Sequence, residues 1–222
     1  MKKIVILISG RGSNLAAILE AQQVRAWEAE VVHVICNQPD APGIAIAEKF
    51  GVPVTIIDHK SFSNRSLFDE ALLEKTRNLE PDLVVLAGYM RILSSDFVQQ
   101  FNRRLINIHP SLLPSFPGLN THRAALIAGV KWHGATVHFV TEDLDVGPII
   151  AQGVVPVLQN DTEEILASRV FVIEHLIYPQ AIEWFIREQL VLEQGNVRVD
   201  PTQQQFFMLP TTPEGIIHSN DE

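Results

Sequence analysis

Two polar residues at the end of a short apolar segment are the first candidates for chemistry. If residues 105–109 (LINIH) form a β-strand, Asn107 and His109 lie on one face, because side chains alternate between faces. Pro110 cannot continue a hydrogen-bonded ladder, so the strand should end at a proline-rich loop that reaches Gly118. An amide donor beside an imidazole suits a reaction in which a carbonyl oxygen gains negative charge and a proton is supplied. The same residue types also occur as structural polar groups at strand ends.

A carboxylate between two later strands is a candidate partner for His109. Asp145 follows Leu144 and precedes the VGP motif, so it lies in a turn with mainly apolar neighbours. A negative charge beside an imidazole would favour the protonated form of the ring. Asp145 is equally consistent with a turn residue that hydrogen-bonds to its own backbone.

A glycine-containing loop, GRGSN, follows the first apolar segment of the chain. Residues 4–8 have the continuous apolar pattern of a parallel strand that is buried on both faces. Gly10 and Gly12 permit a tight turn, and Ser13 or Asn14 could cap the helix that follows. Such a helix N-terminus favours an anion, and the incomplete dinucleotide fingerprint favours a single phosphate over a pyrophosphate. The loop could equally serve only to turn the chain.

The elements that must position these residues follow a β-α repeat typical of a parallel sheet. The predicted strands are residues 4–8, 31–36, 54–57 and 83–87, and the predicted helices are 41–50, 65–79 and 121–128. The carboxyl ends of parallel strands meet at one edge of the sheet. We therefore expect GRGSN, YMRIL and NIHP to border a common cleft.

The later part of the chain departs from this repeat. Alternating residues predict a hairpin of residues 136–140 and 149–157, joined by the acidic loop that contains Asp145. A long helix should begin at the DTEE motif, residues 161–164, and Pro179 should bend or interrupt it.

Composition restricts the partners and the compartment. The chain has 222 residues with 17 basic and 26 acidic side chains, a net charge of −9, and no dense basic block, which argues against nucleic acid as a partner. The single Cys36 excludes an intramolecular disulfide, no apolar stretch approaches the length needed to cross a bilayer, and the histidines lack the spacing of a metal site. We expect a cytoplasmic protein with one domain over residues 1–190. An extension over residues 191–222 should contain a short strand at NVRVD and a docked tail with FFML.

The ordered motifs together resemble the phosphoribosylglycinamide formyltransferase family, the folate-dependent enzymes of the third step of purine synthesis. The resemblance covers roughly residues 3–190 and rests on VLISGRGSN, DLVVLAGYMRIL, LINIHPSLLPSFPG, HGATVHFVTEDLDVGPII and FVIEHLIYP. It implies an α/β, Rossmann-like formyltransferase fold with a mostly parallel central sheet, helices on both faces and an antiparallel C-terminal portion. It also implies direct, metal-independent transfer of the formyl group of 10-formyltetrahydrofolate to the amine of glycinamide ribonucleotide, by a monomer or a homodimer.

The resemblance also implies a role for the residues of each motif. Asn107, His109 and Asp145 match the catalytic set, with His109 as the proton donor. The implied contacts to glycinamide ribonucleotide are Gly12, Ser13, Asn14, Phe171, Val172, Ile173 and Glu174. The implied folate contacts are Arg65, Met90, Arg91, Ile92, Leu93, Asn107, Thr141, Glu142, Asp143, Leu144 and Asp145. Ser115 and Asn120 stand where some members carry a basic residue and a histidine, which leaves substrate affinity and pH dependence open.

Three other functions stay open at this point. A 10-formyltetrahydrofolate hydrolase could use the same Asn, His and Asp with water as the acceptor, although such relatives usually carry an additional N-terminal regulatory domain. A methionyl-tRNA formyltransferase normally adds a basic C-terminal domain, whereas this chain is acidic. A non-catalytic module that senses nucleotides would bind its ligand without turnover.

Overall fold

An eight-stranded sheet forms the centre of the protein in the computed structural model, which describes residues 1–209. The strands are β1 (Lys2–Ile8), β2 (Ala29–Cys36), β3 (Val54–Ile56), β4 (Leu83–Leu86), β5 (Leu105–His109), β6 (Trp132–Phe139), β7 (Ile149–Pro156), β8 (Leu190–Glu193), β9 (Asn196–Val199) and β10 (Phe206–Met208). The order across the sheet is β10-β7-β6-β5-β4-β1-β2-β3, and β8 and β9 form a separate hairpin. The first five strands pair in parallel, and β6 is antiparallel to both β5 and β7. The predicted fold class is confirmed.

Helices cover both faces of the sheet. Those within the described residues are α1 (Ser13–Val24), α2 (Gly43–Lys49), α3 (Arg65–Asn78), α4 (Ser95–Gln100), α5 (Thr121–Ala128) and α6 (Glu163–Ile186). One hydrophobic cluster joins α1 and α6 to one face, and a second cluster joins α3 and α4 to the other. The sheet is therefore buried on both sides, which accounts for the continuous apolar pattern of β1 and β4.

Two helices differ locally from the sequence prediction. Gly12 is the N-cap of α1, with a φ of 77°, so the expectation that Ser13 or Asn14 caps this helix is wrong. Thr162 caps α6 by accepting a hydrogen bond from the Ile165 amide, and α6 continues through Pro179 instead of stopping there. Packing against α1, β6 and β7 supports this helix around the missing proline hydrogen bond.

Helix α6 corrects the expectation that no stretch approaches the length of a membrane span. Its 24 residues are long and apolar enough to cross a bilayer by length and composition alone. In this fold the helix instead packs on the central sheet, and Leu166, Val170, Ile173 and Ile177 are fully buried in the hydrophobic core. Core helices of globular proteins pass the same composition test, and half of the most apolar part of α6 is buried in this fold.

The segment after α6 returns to the sheet. NVRV forms β9, which pairs with β8, and residues of the FFML segment form β10, which runs parallel to β7. The Trp184 indole of α6 donates to the Gln203 side chain over 2.8 Å, and the Phe207 ring lies 6.3 Å from the Trp184 ring. The remainder of the predicted tail, residues 210–222, lies outside the described residues.

Candidate functional site

Asn107 and His109 project from β5 on the face of the sheet opposite α6. Ile106 and Ile108 belong to the hydrophobic cluster that contains α6, whereas Leu105 packs with α3 and α4. Alternation along the strand therefore places both polar side chains on the side of Leu105. His109 is only 5% exposed and Asn107 is half-buried, so both lie below the surface at the end of the strand.

His138 fixes the orientation of the Asn107 amide. The antiparallel register of β5 and β6 places these two residues opposite each other, and Asn107 Nδ2 lies 3.3 Å from His138 Nε2. His138 Nδ1 lies 3.0 Å from the Phe139 carbonyl, which can only accept, so Nδ1 carries the proton and Nε2 accepts from the amide. Burial lowers the pKa of His138 and keeps this ring neutral. One hydrogen of the Asn107 amide is thus committed to His138, and the second can donate to a ligand.

His109 lies between two acceptors. Its Nε2 donates to the Phe116 carbonyl over 3.0 Å, and its Nδ1 lies 3.5 Å from Asp145 Oδ2. The side chains of His109 and Asp145 are 7% and 6% exposed, and the same carboxylate oxygen accepts from the Gly118 amide over 2.8 Å. An imidazolium can donate to both neighbours, whereas a neutral ring can donate to only one. The predicted proximity of His109 and Asp145 is present in the structure.

A second pair of histidines supports the loop that follows β5. The Phe116 ring packs edge-on against His133, and His133 Nε2 lies 3.1 Å from His122 Nδ1. Burial, together with the smaller effects of the neighbouring His122 and His109, lowers the pKa of His133 to about 4. The pair therefore stays uncharged at neutral pH, and the His133 ring packs against Phe116, whose carbonyl contacts His109.

The GRGSN loop turns into α1 through a close contact between backbones. A Cβ at Gly12 would lie 2.7 Å from Gly43 Cα at the start of α2, and the residue has a positive φ. This glycine is thus required by the packing of two segments before any ligand is considered. Because Gly12 has no side chain to cap α1, the N–H groups of the first turn are available to an anion.

A buried carboxyl group contacts this helix N-terminus. Asn14 Nδ2 donates to Glu174 Oε2 over 2.9 Å, and Glu174 is only 3% exposed. Burial raises the pKa of Glu174 to about 7, against the opposing effect of the Asn14 hydrogen bond. Asn14 Oδ1 is buried and has no partner within the described residues, so it can accept from a hydroxyl group of a ligand or from water.

The remaining residues of the FVIE segment differ in their surroundings. Phe171 and Val172 are exposed on α6, whereas Ile173 is fully buried and faces Gly153 of β7. Glu174 is the residue of this segment that hydrogen-bonds to Asn14 at the start of α1.

Exposed apolar side chains occur on the loops after β4 and β6. Met90, Ile92 and Leu144 are 71%, 61% and 57% exposed. The Arg65 guanidinium donates to the Ile92 carbonyl over 3.0 Å, and the Arg91 guanidinium lies 4.8 Å from the centre of the Phe68 ring. Leu93 packs against the hydrophobic cluster of α3 and α4. The Thr141 hydroxyl donates to the Asp143 carbonyl, and the Gln99 side chain donates to the Glu142 carboxylate. These loops offer apolar surface beside the polar centre at the end of β5.

The sequence predicts the residues at the centre of the candidate site but not the residues that support them. His138 was placed on one face of a strand, and only the register of β5 and β6 pairs it with Asn107. Phe116 contributes a backbone carbonyl, which has no signature in the sequence. Within residues 1–209, no group of three or more His, Cys, Asp or Glu side chains is arranged to hold a metal ion.

The open sheet, with an amide, an imidazole and a carboxylate gathered at the end of β5, defines an α/β enzyme of the Rossmann-like type. Residues 2–182 match the family described as formyl transferase. The phosphoribosylglycinamide formyltransferase of Escherichia coli (strain K12) is 45% identical over 197 residues, which are 89% of this chain and 93% of the relative. The crystal structure of glycinamide ribonucleotide transformylase 1 from Symbiobacterium toebii superposes with a TM-score of 0.87 at 46% identity, covering 90% of this chain and 94% of that chain.

The chain belongs to the formyl transferase family, as predicted from its motifs. It also matches the trifunctional purine biosynthetic protein adenosine-3 of Bos taurus, with 48% identity over 181 residues. That match covers 82% of this chain but only 18% of the bovine protein. The likeness to the bovine protein is therefore confined to one part of a much longer chain.

Proposed function

We propose that this enzyme transfers the formyl group of 10-formyltetrahydrofolate to the amine of glycinamide ribonucleotide, giving formylglycinamide ribonucleotide and tetrahydrofolate. The observation that carries the proposal is the convergence of Asn107, His109 and Asp145 at the end of β5. An amide donor and an imidazole donor in one buried site suit the negative charge that develops when an amine attacks a formyl group. Near-full-length relatives with this activity in their names support the choice of substrates.

The reaction proceeds directly between the two substrates. The neutral amine attacks the formyl carbon, and the carbonyl oxygen becomes an oxyanion that accepts from the free N–H of Asn107 and from His109. A charged oxygen is a stronger acceptor than the neutral Phe116 carbonyl, so it competes effectively for the proton on His109 Nε2. Collapse of the tetrahedral intermediate breaks the bond to the folate nitrogen. The amine loses a proton and the folate nitrogen gains one. His109, held by Asp145, relays the proton between them.

The two substrates approach from different loops. We assign the phosphate of the ribonucleotide to the N-terminus of α1, at Gly12, Ser13 and Asn14, and its hydroxyl-bearing part to Glu174 and the unpartnered Asn14 Oδ1. Ile173 contributes through the core packing that supports Glu174, and Phe171 and Val172 are its exposed neighbours.

Folate is assigned to the apolar loops beside the polar centre. The proposed contacts are Arg65, Met90, Arg91, Ile92, Leu93, Thr141, Glu142, Asp143 and Leu144, with Asn107 and Asp145 at the reacting end. Exposed apolar side chains on two loops suit an aromatic ring system that must leave water when it binds.

The proposal includes the setting of the reaction. We place the enzyme in the cytoplasm, as a monomer or homodimer that acts without nucleic acid, a membrane or a metal. The net charge of −9 supports the absence of a nucleic-acid partner, because the protein would repel the phosphates of a nucleic acid.

Dependence on the amine tests the proposed function. The full chain is mixed with 10-formyltetrahydrofolate, with or without glycinamide ribonucleotide, while tetrahydrofolate and formate are measured. We expect tetrahydrofolate to form only with the ribonucleotide present and without release of formate. Glycinamide, which lacks the ribose phosphate, serves as the control amine and should react far more slowly. Formate release that is independent of the amine would indicate a hydrolase, and binding without turnover would indicate a non-catalytic module.

A further inference from the structure

Tyr178 lies beneath the strand that carries Asn107. It belongs to α6 and is fully buried, on the face of the sheet opposite the Asn107 side chain. Its hydroxyl lies 2.9 Å from the Leu86 carbonyl oxygen and 3.2 Å from the Ile106 carbonyl oxygen. Both neighbours are acceptors, so the hydroxyl donates one proton that the two carbonyls share.

These two carbonyls belong to neighbouring residues at the end of the β4–β5 ladder, in which Ile106 pairs with Val85. Leu86 and Asn107 are the final residues in its register. The Ile106 carbonyl belongs to the peptide unit that ends at Asn107 Cα, and the atoms of a peptide unit are coplanar. A hydrogen bond to this carbonyl therefore restricts the tilt of the peptide plane that holds Asn107.

We propose that Tyr178 is a positioning residue for Asn107 in the transfer reaction. Its hydroxyl fixes the backbone of Asn107 from one face of the sheet, while His138 fixes the amide from the other. Oxyanion stabilisation depends on donors held in place before the reaction, so a small tilt of this peptide lowers turnover without removing the donor. The inference rests on the proposed function, because it assigns Tyr178 a role through Asn107.

The same helix supports the ribonucleotide site separately. Glu174 lies one turn before Tyr178 on α6, so the two side chains share one face of the helix, and Glu174 contacts Asn14. One turn of α6 thus supports the N-terminus of α1 and the next supports β5. Loss of the Tyr178 hydroxyl should therefore affect turnover and leave the binding of the ribonucleotide intact.

A purely structural hydroxyl would give a different result. A buried tyrosine needs a hydrogen-bond partner in any case, so lower stability alone does not identify a positioning role. The kinetic coupling between Tyr178 and Asn107 separates the two roles, because a residue that acts through Asn107 has no effect once the amide is removed.

The test compares Tyr178→Phe in the wild-type chain and in the Asn107→Ala variant, with both substrates. In the wild-type background we expect kcat to fall about 3-fold to 10-fold, the typical value of one hydrogen bond, with both KM values within about 2-fold. In the Asn107→Ala background the same substitution should leave kcat unchanged. Ile177→Val is the control, because it trims a buried side chain at the neighbouring position of α6 that cannot hydrogen-bond to either carbonyl.

Assays are run at a temperature at which circular dichroism shows all variants to be folded. Equal fold-losses in both backgrounds, an unchanged kcat in Tyr178→Phe, or an equal loss in Ile177→Val would overturn the positioning role. If the wild-type chain transfers no formyl group, the proposed function fails and this inference fails with it. An active wild type with any of the contrary kinetic results refutes the Tyr178 inference alone.

Discussion

His109 has two hydrogen-bond partners of unequal strength. The negatively charged carboxylate of Asp145 faces His109 Nδ1, whereas the neutral carbonyl of Phe116 faces His109 Nε2. A substrate oxygen becomes charged only as the transition state forms, and only then does it outcompete the neutral carbonyl. The arrangement thus favours donation to the oxyanion over donation to the ground-state formyl group.

The charge on Asp145 has a testable role in this arrangement. Asp145→Asn keeps the shape of the side chain but removes the negative charge that faces His109 Nδ1, so kcat should fall by about a hundredfold or more. In the His109→Ala background the same substitution should cost far less, because the two residues act on one transition state. Steady-state kinetics of the single and double variants provide the measurement.

Asp96→Asn is the control for this cycle, since Asp96 is exposed on α4 and has no place in the proposed site. Independent, fully multiplicative losses in the double variant would show that Asp145 does not act through His109.

For individual residues, the sequence is most informative where the alternation of side chains along a strand determines which face a side chain occupies. Asn107 and His109 could be placed together because β5 is a regular strand that ends at Pro110. The pairing of His138 with Asn107 could not be predicted, because alternation gives the face of a strand but not its register against a neighbour.

Helix α6 connects the core of the molecule to the proposed ribonucleotide site. Glu174 is buried on this helix beside Asn14 of α1, and a carboxyl group in such surroundings resists ionisation. Burial raises the pKa of Glu174 from the ordinary carboxyl value of 4.5 to about 7. The stability of the fold should therefore depend on pH through this one group.

Glu174→Gln tests that dependence. Between pH 4.5 and 7 the unfolded chain loses the Glu174 proton while the folded protein keeps it, so rising pH favours unfolding. The wild type should lose stability relative to the neutral glutamine variant across this range, by at most roughly 3 kcal/mol. Urea denaturation of both proteins at pH 4.5, 6 and 8 measures the difference. A difference that stays constant with pH would contradict the assignment.

Hydrophobic periodicity predicts the positions of the helices and strands. It predicts less accurately the residues at which they begin and end. Gly12 caps α1 because its positive φ and its contact with Gly43 both require glycine, and neither is visible in the local pattern. Pro179 does not interrupt α6, because packing along the helix outweighs the loss of one backbone hydrogen bond. Local propensity was overridden by tertiary contacts in both cases.

The whole molecule places the candidate site where the parallel part of the sheet ends. Strand β5 pairs in parallel with β4 and antiparallel with β6, and the side chains of Asn107 and His138 meet at this change of direction. The loops after β1, β4 and β5 follow the carboxyl ends of parallel strands, where ligands of open sheets bind. Two substrates can therefore reach one centre from different loops.

The parallel order and the antiparallel continuation were predictable, because βα repeats and hairpin alternation have distinct signatures. The sequence predicts FFML as a docked tail, and does not predict that part of it forms a strand, β10, that pairs with β7 in the main sheet. A three-residue strand has too little pattern to identify its partner.

Substitution of the two phenylalanines of β10, Phe206 and Phe207, measures how much this strand contributes to stability. Phe207 is partly buried and packs near Trp184, so Phe207→Ala should destabilise the fold by about 1–3 kcal/mol, below the value for a fully buried ring. Phe206 is 59% exposed, and Phe206→Ala should cost much less. Thermal and urea unfolding measure both, and equal effects would contradict the packing of β10.

Replacement of His109 by alanine is the most direct test of the site. With both substrates saturating, His109→Ala should lower kcat by about a hundredfold to ten-thousandfold, because it removes the proton donor, while both KM values change little. His33→Ala, a partly buried histidine of β2, is the matched control and should retain activity. The predicted result is a folded His109 variant that binds both substrates and scarcely turns them over. A folded His109→Ala protein with near-normal kcat would contradict the assignment of the chemistry to the end of β5.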